Sequence, residues 1–268
     1  MDDVPYDFID KVFTSLNQLT IELTVKECFQ SSRWNEAART YKSKFELFEL
    51  TLCATEDELK YRFREFREFE EDDFTTETVE PTFTFEQFLQ MDHRFKRIIR
   101  LSITSSEDDD SFYSLDVDRL PTLINFATHF NLDDLFLDAH SPNEAVTLKR
   151  ILEELTKANP TVNSVMLDYS PDAIDLLKSQ LQKGVSSVSL TGVWPVVFKD
   201  LLMAFVLQPK NWSLVIREWQ CFTIDDIKRI IAYAKVLEDP WNWSILSIEA
   251  TADLNREFAA LMNQTGEG

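Results

Sequence analysis

The sequence predicts an α/β protein: a small helical head, then a curved stack of strand–helix units with parallel strands inside and helices on the convex side. Three observations carry this. Six short apolar-x-apolar cores, Leu101/Ile103, Leu135/Leu137, Val165/Leu167, Val188/Leu190, Leu214/Ile216 and Leu246/Ile248, recur every 23 to 34 residues, a spacing typical of repeat arrays. Each is followed by a stretch whose apolar residues fall on one helical face. Ser102, Phe136, Met166, Ser189, Val215 and Ser247 interrupt the cores, so each strand buries one side only. A doubly wound sheet is the competing architecture, but its strands read as continuous apolar runs because both faces are covered.

The helices after the strands are LPTLINFATHF (120–130), SPNEAVTLKRILEELTKA (141–158), SPDAIDLLKSQLQK (170–183), WPVVFKDLLMAFVL (194–207), TIDDIKRIIAYAKVL (223–237) and TADLNREFAALM (251–262). Their starts share a chemistry. Ser141 and Ser170 can accept from a free helix-start N–H, and Pro142 and Pro171 fill a position that needs no donor. Thr223 with Asp226 resembles a capping box, whereas Thr251 with Leu254 does not. Gly184 stands where the third helix wants a left-handed residue. The whole of 99–268 is similar to an irregular leucine-rich-repeat solenoid. The Asn that usually completes L-x-x-L-x-L-x-x-N is missing, with Ser170 and Thr251 near where it would fall.

Residues 1–45 differ in composition. Phe8, Ile9, Val12, Phe13 and Leu16 form an apolar stripe on a helix with Pro5 in its first turn. Leu19, Leu23 and Phe29 suggest a second short helix. Ser32 begins a third, carrying Trp34, Ala37, Ala38 and Tyr41. Residues 46–98 connect head and repeats: a strand or two near Phe45 to Cys53 is expected, then an acidic loop around Glu68 to Asp73. SSEDDDS, 105–111, reads as a second acidic loop.

Pro5, the amphipathic helix after it and Arg33-Trp34 resemble a diverged F-box, with Val4 where that family usually has Leu and Ser31-Ser32 where Cys-Arg is common. With its leucine-rich-like repeats and many Phe residues, the chain is similar to the large nematode families of F-box-type proteins. The resemblance implies a substrate receptor of a cullin-RING ubiquitin ligase. The head would dock on the adaptor subunit through Pro5, Phe8, Val12, Leu16 and Trp34, and the repeats would hold the substrate. The same residues would also serve as the layer that caps the open end of a repeat array.

Composition narrows the functions. With 47 acidic against 27 basic residues, the net charge of -20 repels phosphate backbones and anionic lipids, so nucleic acid and membranes are not expected partners. Cys28, Cys53 and Cys221 are odd in number and far apart, as in reduced proteins of the cytoplasm or nucleus. MDDVPYDF lacks a basic n-region, and the longest apolar stretch, LLMAFVL, is far short of the ~20 residues of a membrane span.

Four glycines, two of them in the last three residues, leave no Gly-rich phosphate cradle or nucleophile elbow. His93, His129 and His140 share no metal-ligand spacing, and Asp108 to Asp110 lack the Gly turn of a calcium loop. No cofactor or metal and no catalytic residue is expected, with a carboxylate-only enzyme as the least favoured alternative. Recognition is expected on the strand face left open, through Phe136, Asp138, Met166, Asp168, Val215, Arg217 and Trp219. Apolar groups on a polar open face mark binding, and Asp138 and Asp168 favour a basic segment. A free-standing protein that neutralises a partner stoichiometrically is the alternative to a ligase receptor.

Overall fold

The structure, a computed structural model, describes residues 12, 32–44, 46–55, 58–66, 82–93, 95–105, 111–130, 132–138, 145–208, 212–236, 245–248 and 252–265. Among them a mostly parallel sheet and eight α-helices form an α/β protein. The strands are β1 (Glu46–Ala54), β2 (Leu59–Phe66), β3 (Thr82–Phe83), β4 (Lys96–Thr104), β5 (Tyr113–Ser114), β6 (Asp134–Asp138), β7 (Ser164–Asp168), β8 (Ser187–Thr191), β9 (Ser213–Ile216) and β10 (Ile245–Ile248). The helices are α1 (Ser32–Lys44), α2 (Phe85–Leu89), α3 (Leu120–Thr128), α4 (Ala145–Ala158), α5 (Ile174–Lys183), α6 (Val197–Val206), α7 (Ile224–Val236) and α8 (Ala252–Thr265). The sheet order is β10-β9-β8-β7-β6-β4-β1-β2-β3, with β5 on β2. Two compact units divide the chain, residues 1–50 with 62–99 and residues 51–61 with 100–268.

The first unit has an aromatic core. In β2, Phe63 is buried between Arg62 and Arg64. Phe88 of α2 stacks on Phe63 at 4.6 Å and meets Phe48 edge-on at 4.9 Å. Such pairs contribute about 0.5–1.5 kcal/mol each beyond their burial. Thr84 starts α2 with a capping box: its hydroxyl accepts from the Gln87 N–H at 3.1 Å and its own N–H donates to Gln87 Oε1 at 2.8 Å. On α1, Ala37, Ala38 and Tyr41 are buried as expected, and the Tyr41 ring lies 5.0 Å from Phe95. That packing puts α1 in one unit with the strands after it, where the sequence suggested a separate head and connector. Apart from Val12, the first two expected helices lie outside the described residues, as do the acidic run 68–73 and most of 105–111.

In the second unit β6, β7, β8, β9 and β10 join β4 in chain order, all parallel. The order never reverses, so there is no switch point of the doubly wound kind. The strands share two buried rows. Leu101, Leu135, Val165, Val188 and Leu214 lie side by side and fully buried, and Ile103, Leu137, Leu167, Leu190 and Ile216 form a second such row.

Each unit also ties to the next through the residue just before its strand. The Asp133 carbonyl accepts from the N–H groups of Asn163 (3.0 Å) and Ser164 (2.8 Å), and the Asn163 carbonyl from Ser186 (2.9 Å) and Ser187 (3.0 Å). Ser186 and Trp212 accept in turn from Ser213 and Ile245. The end of α4 is capped by α5. Buried Gln180 donates to the Pro160 carbonyl at 2.8 Å, the Lys183 ammonium to those of Asn159 and Pro160, and the Ser179 hydroxyl to Asn159 Oδ1 at 2.6 Å.

Three expected caps are present. The Ser170 hydroxyl accepts from the Asp172 N–H at 3.3 Å, and Gly184 takes φ 81° at the end of α5. Thr223 and Asp226 exchange bonds at the start of α7, Asp226 Oδ2 accepting at 2.8 Å and Thr223 Oγ1 at 3.4 Å. Ser141 and Pro142 lie outside the described residues.

Candidate partner-binding face

Strand register sets the geometry of the face opposite the buried rows. One residue from each strand falls into line across β4, β6, β7, β8 and β9, giving Ser102, Phe136, Met166, Ser189 and Val215. The structure thus brings Phe136, Met166 and Val215 into a single row. Met166 is 37% exposed, Phe136 and Val215 are half-buried, and Ser189 between the latter two strands is 9% exposed. A small hydroxyl there leaves a dip in the row between two larger apolar groups.

The row on one side of it begins with an ion pair. Arg100 donates from both Nε (3.3 Å) and Nη2 (3.0 Å) to Asp134 Oδ2. The same guanidinium lies 4.7 Å from the Phe136 ring centroid. A cation held between a carboxylate and an aromatic face restricts the rotamers of both partners, so Phe136 is presented in a fixed pose.

The row on the other side is acidic. Thr104 pairs with Asp138, and Asp168 with Thr191. Leu137 pairs with Leu167, and continuing that register by one residue sets Asp138 beside Asp168. Neighbouring strands are about 4.8 Å apart, at which distance like charges repel, so this edge favours an approaching cation. Arg217 follows β9, its N–H donating to the Leu190 carbonyl at 2.8 Å, and its side chain is exposed.

Trp219 is a correction to the expected site. It is 6% exposed and belongs to the core. The alternation that placed it on the open face was extended past the end of β9, which stops at Ile216. Glu218 then takes a left-handed φ of 60°, ending the period-two pattern and turning the next side chain inward.

Sequence reasoning missed the loop after β8. Gly192 takes φ 84°, and a Cβ built on it would stand 3.0 Å from the Tyr169 Cβ. Buried Trp194 donates from Nε1 to the Thr191 carbonyl at 3.1 Å and meets the rings of Tyr169 and Phe198 edge-on at 5.4 and 5.5 Å. The signal was available in Gly192 followed closely by Trp194, a residue needing positive φ beside a large aromatic anchor.

Cys221 and Asp226 lie among packed side chains away from the open face. Burial pushes the Cys221 thiol up to about 11, so it stays protonated and unreactive at neutral pH. Burial also raises the Asp226 carboxyl. Hydrogen bonds from Lys199, 2.6 Å away, and from Thr223 outweigh that and leave it below its ordinary value. Among the described residues no group of three His, Cys, Asp or Glu could hold a metal, and no helix is long and apolar enough to cross a membrane.

No family model, curated protein or solved structure matches this chain. The open face therefore stands on its geometry alone. Of the residues expected to meet a ligase adaptor, Pro5, Phe8 and Leu16 lie outside the described residues. Val12 is helical and half-buried, and Trp34 is half-buried on α1. Among the described residues, Asn35, Glu36, Arg39, Thr40 and Ser43 of α1 line an open cavity of about 570 Å³.

Proposed function

We propose that the chain is a non-catalytic protein-interaction module that captures a protein partner on the open strand face. The observation that carries this reading is the apolar row Phe136, Met166 and Val215 beside the Asp138/Asp168 pair. An apolar centre with a charged rim is the composition of a protein-binding patch, and the matching partner is a segment with an apolar anchor and a nearby cation.

The finer reading is that 99–268 form an irregular leucine-rich-repeat-like solenoid, helices on its convex side, of a substrate receptor of a cullin-RING ubiquitin ligase. Pro5, Phe8, Val12, Leu16 and Trp34 would engage the adaptor, in the cytoplasm or nucleus. Its support is the F-box-like sequence around Pro5 and Arg33-Trp34, together with parallel strands in unbroken chain order. Affinity purification of the tagged chain tests both levels. Adaptor and cullin should co-purify and be lost on Phe8→Ala with Trp34→Ala, while a third protein should be lost on Phe136→Ser with Met166→Ser. Absence of adaptor and cullin with retention of that third protein would leave stoichiometric binding without ligase recruitment.

A further inference from the structure

Charge on the open strand face is sorted by strand. Arg100 and Asp134 bond to one another across β4 and β6. Among the described residues, the row that begins at Thr104 then carries Asp138 on β6, Asp168 on β7, Thr191 on β8 and Arg217 just after β9. Arg217 keeps the register of that row. Its N–H donates to the Leu190 carbonyl at 2.8 Å, repeating the bond from Ser213 to Ser186 four residues earlier, and its side chain is exposed. Glu218 leaves the row through its left-handed φ of 60°. The row is therefore negative at β6 and β7 and positive beyond β9, with an uncharged hydroxyl between.

The apolar row lies two residues back along each strand, and its low point falls midway between these charges. Ser189 on β8 is 9% exposed, between Met166 on β7 and Val215 on β9. A partner that fills the dip while meeting both charges needs a cation, an apolar side chain and an anion in that order. The outer two must be separated by two strand spacings, about 9.6 Å. Seven residues of α-helix rise about 10.5 Å and return to nearly the same face, with i+3 or i+4 near the middle. An extended chain covers that distance in about three residues, and side chains three apart on a strand point to opposite faces. The spacing selects a helix laid across the strands.

A second copy is the poorer fit. A twofold that set Asp168 against Arg217 of another copy would run along β8 and place Ser189 against Ser189, leaving the dip unfilled.

Taking the open strand face as the binding surface, we propose that it receives one α-helical partner segment across β7, β8 and β9. A basic residue at i faces Asp168 and Asp138, an apolar residue at i+3 or i+4 sits over Ser189, and an acidic residue at i+7 faces Arg217. The opposed charges fix the direction in which the helix lies.

Dye-labelled Ala/Gln-rich peptides of about 18 residues, long enough to hold a helix, test it by fluorescence anisotropy on the full chain. One carries Lys, Leu and Glu at i, i+4 and i+7, and in the other Lys replaces that Glu. The Lys/Leu/Glu peptide should bind about tenfold or more tighter, against the order that general attraction to a chain of net charge -20 would give. Arg217→Glu, at an exposed position, should reverse the preference with an unchanged thermal midpoint. Placing Pro between the Lys and the Leu should abolish binding, because it breaks the helix. Equal affinity of the two peptides, a preference that Arg217→Glu does not reverse, or retained binding of the Pro-bearing peptide would overturn the proposal. So would failure of both peptides to bind, or a dimer in sedimentation that Arg217→Glu abolishes. Phe136→Ser with Met166→Ser keeps such a failure apart from failure of the face itself. Two peptides that bind alike and are both released by this variant would leave the face in place without a charge order. A peptide preference that the variant does not touch would remove the face as the site and the proposal with it.

Discussion

The two sides of the same strands do different work. On one side, Leu101, Leu135, Val165, Val188 and Leu214 run in register at zero exposure, with Ile103, Leu137, Leu167, Leu190 and Ile216 beside them. On the other, the corresponding row reads Ser102, Phe136, Met166, Ser189 and Val215, mixed in size and partly wet. Backbone and hydrogen bonds are common to both, so the difference lies in what covers them. A uniform aliphatic row is what interdigitation with helices requires, and an irregular row is what remains when no helix constrains it.

The contrast is broken most severely from the buried side. Leu167→Ala removes a fully buried side chain from the middle of that row and should cost about 2–5 kcal/mol in urea unfolding. Gly192→Ala comes next. It forces a Cβ to 3.0 Å from Tyr169 at φ 84°, and a loss of about 2 kcal/mol is expected from backbone strain and crowding. A smaller loss would mean that the loop can move its aromatic anchor.

The Thr223–Asp226–Lys199 cluster sharpens the comparison through pH. Because the folded pKa of Asp226 lies below its unfolded value, the carboxylate stabilises the fold fully above an unfolded pKa of about 3.9. That contribution is lost as the pH falls from there through the folded pKa. Asp226→Asn should therefore flatten the acid limb of the stability profile and cost about 1–2 kcal/mol at neutral pH, where Lys199 loses its carboxylate.

Much of this was legible locally. Ser170, Gly184 and the Thr223/Asp226 pair could be assigned because a cap depends on a few consecutive residues. The six apolar-x-apolar cores likewise mark strands wherever they are described, because alternation is a property of one strand. Trp219 was misplaced since nothing in WSLVIREW announces that the strand ends at Ile216. β2 went unassigned although Tyr61 and Phe63 alternate with Arg62 and Arg64, because long charged side chains between aromatics read equally as a solvated segment. The exposed side of α6 was hidden for another reason: VVFKDLLMAFV has apolar residues on both faces, and only coordinates tell which face is covered.

The smallest expected effect is the most informative about the open row. Met166 is 37% exposed, and its strand neighbours on the same face are half-buried Phe136 and buried Ser189. Met166→Ser should therefore change stability by no more than about 0.5 kcal/mol, the range of surface substitutions. Phe136→Ser also gives up the stacking of Arg100 and should cost about 0.5–1 kcal/mol. If the two losses ran instead to the size expected for Leu167→Ala, the row would be core covered from its second side, and no surface would remain there for a partner. A small loss that leaves Leu167→Ala several-fold more damaging would show that the two faces of one strand are energetically separate, which is the condition for the open row to vary with its partner while the buried row holds the fold.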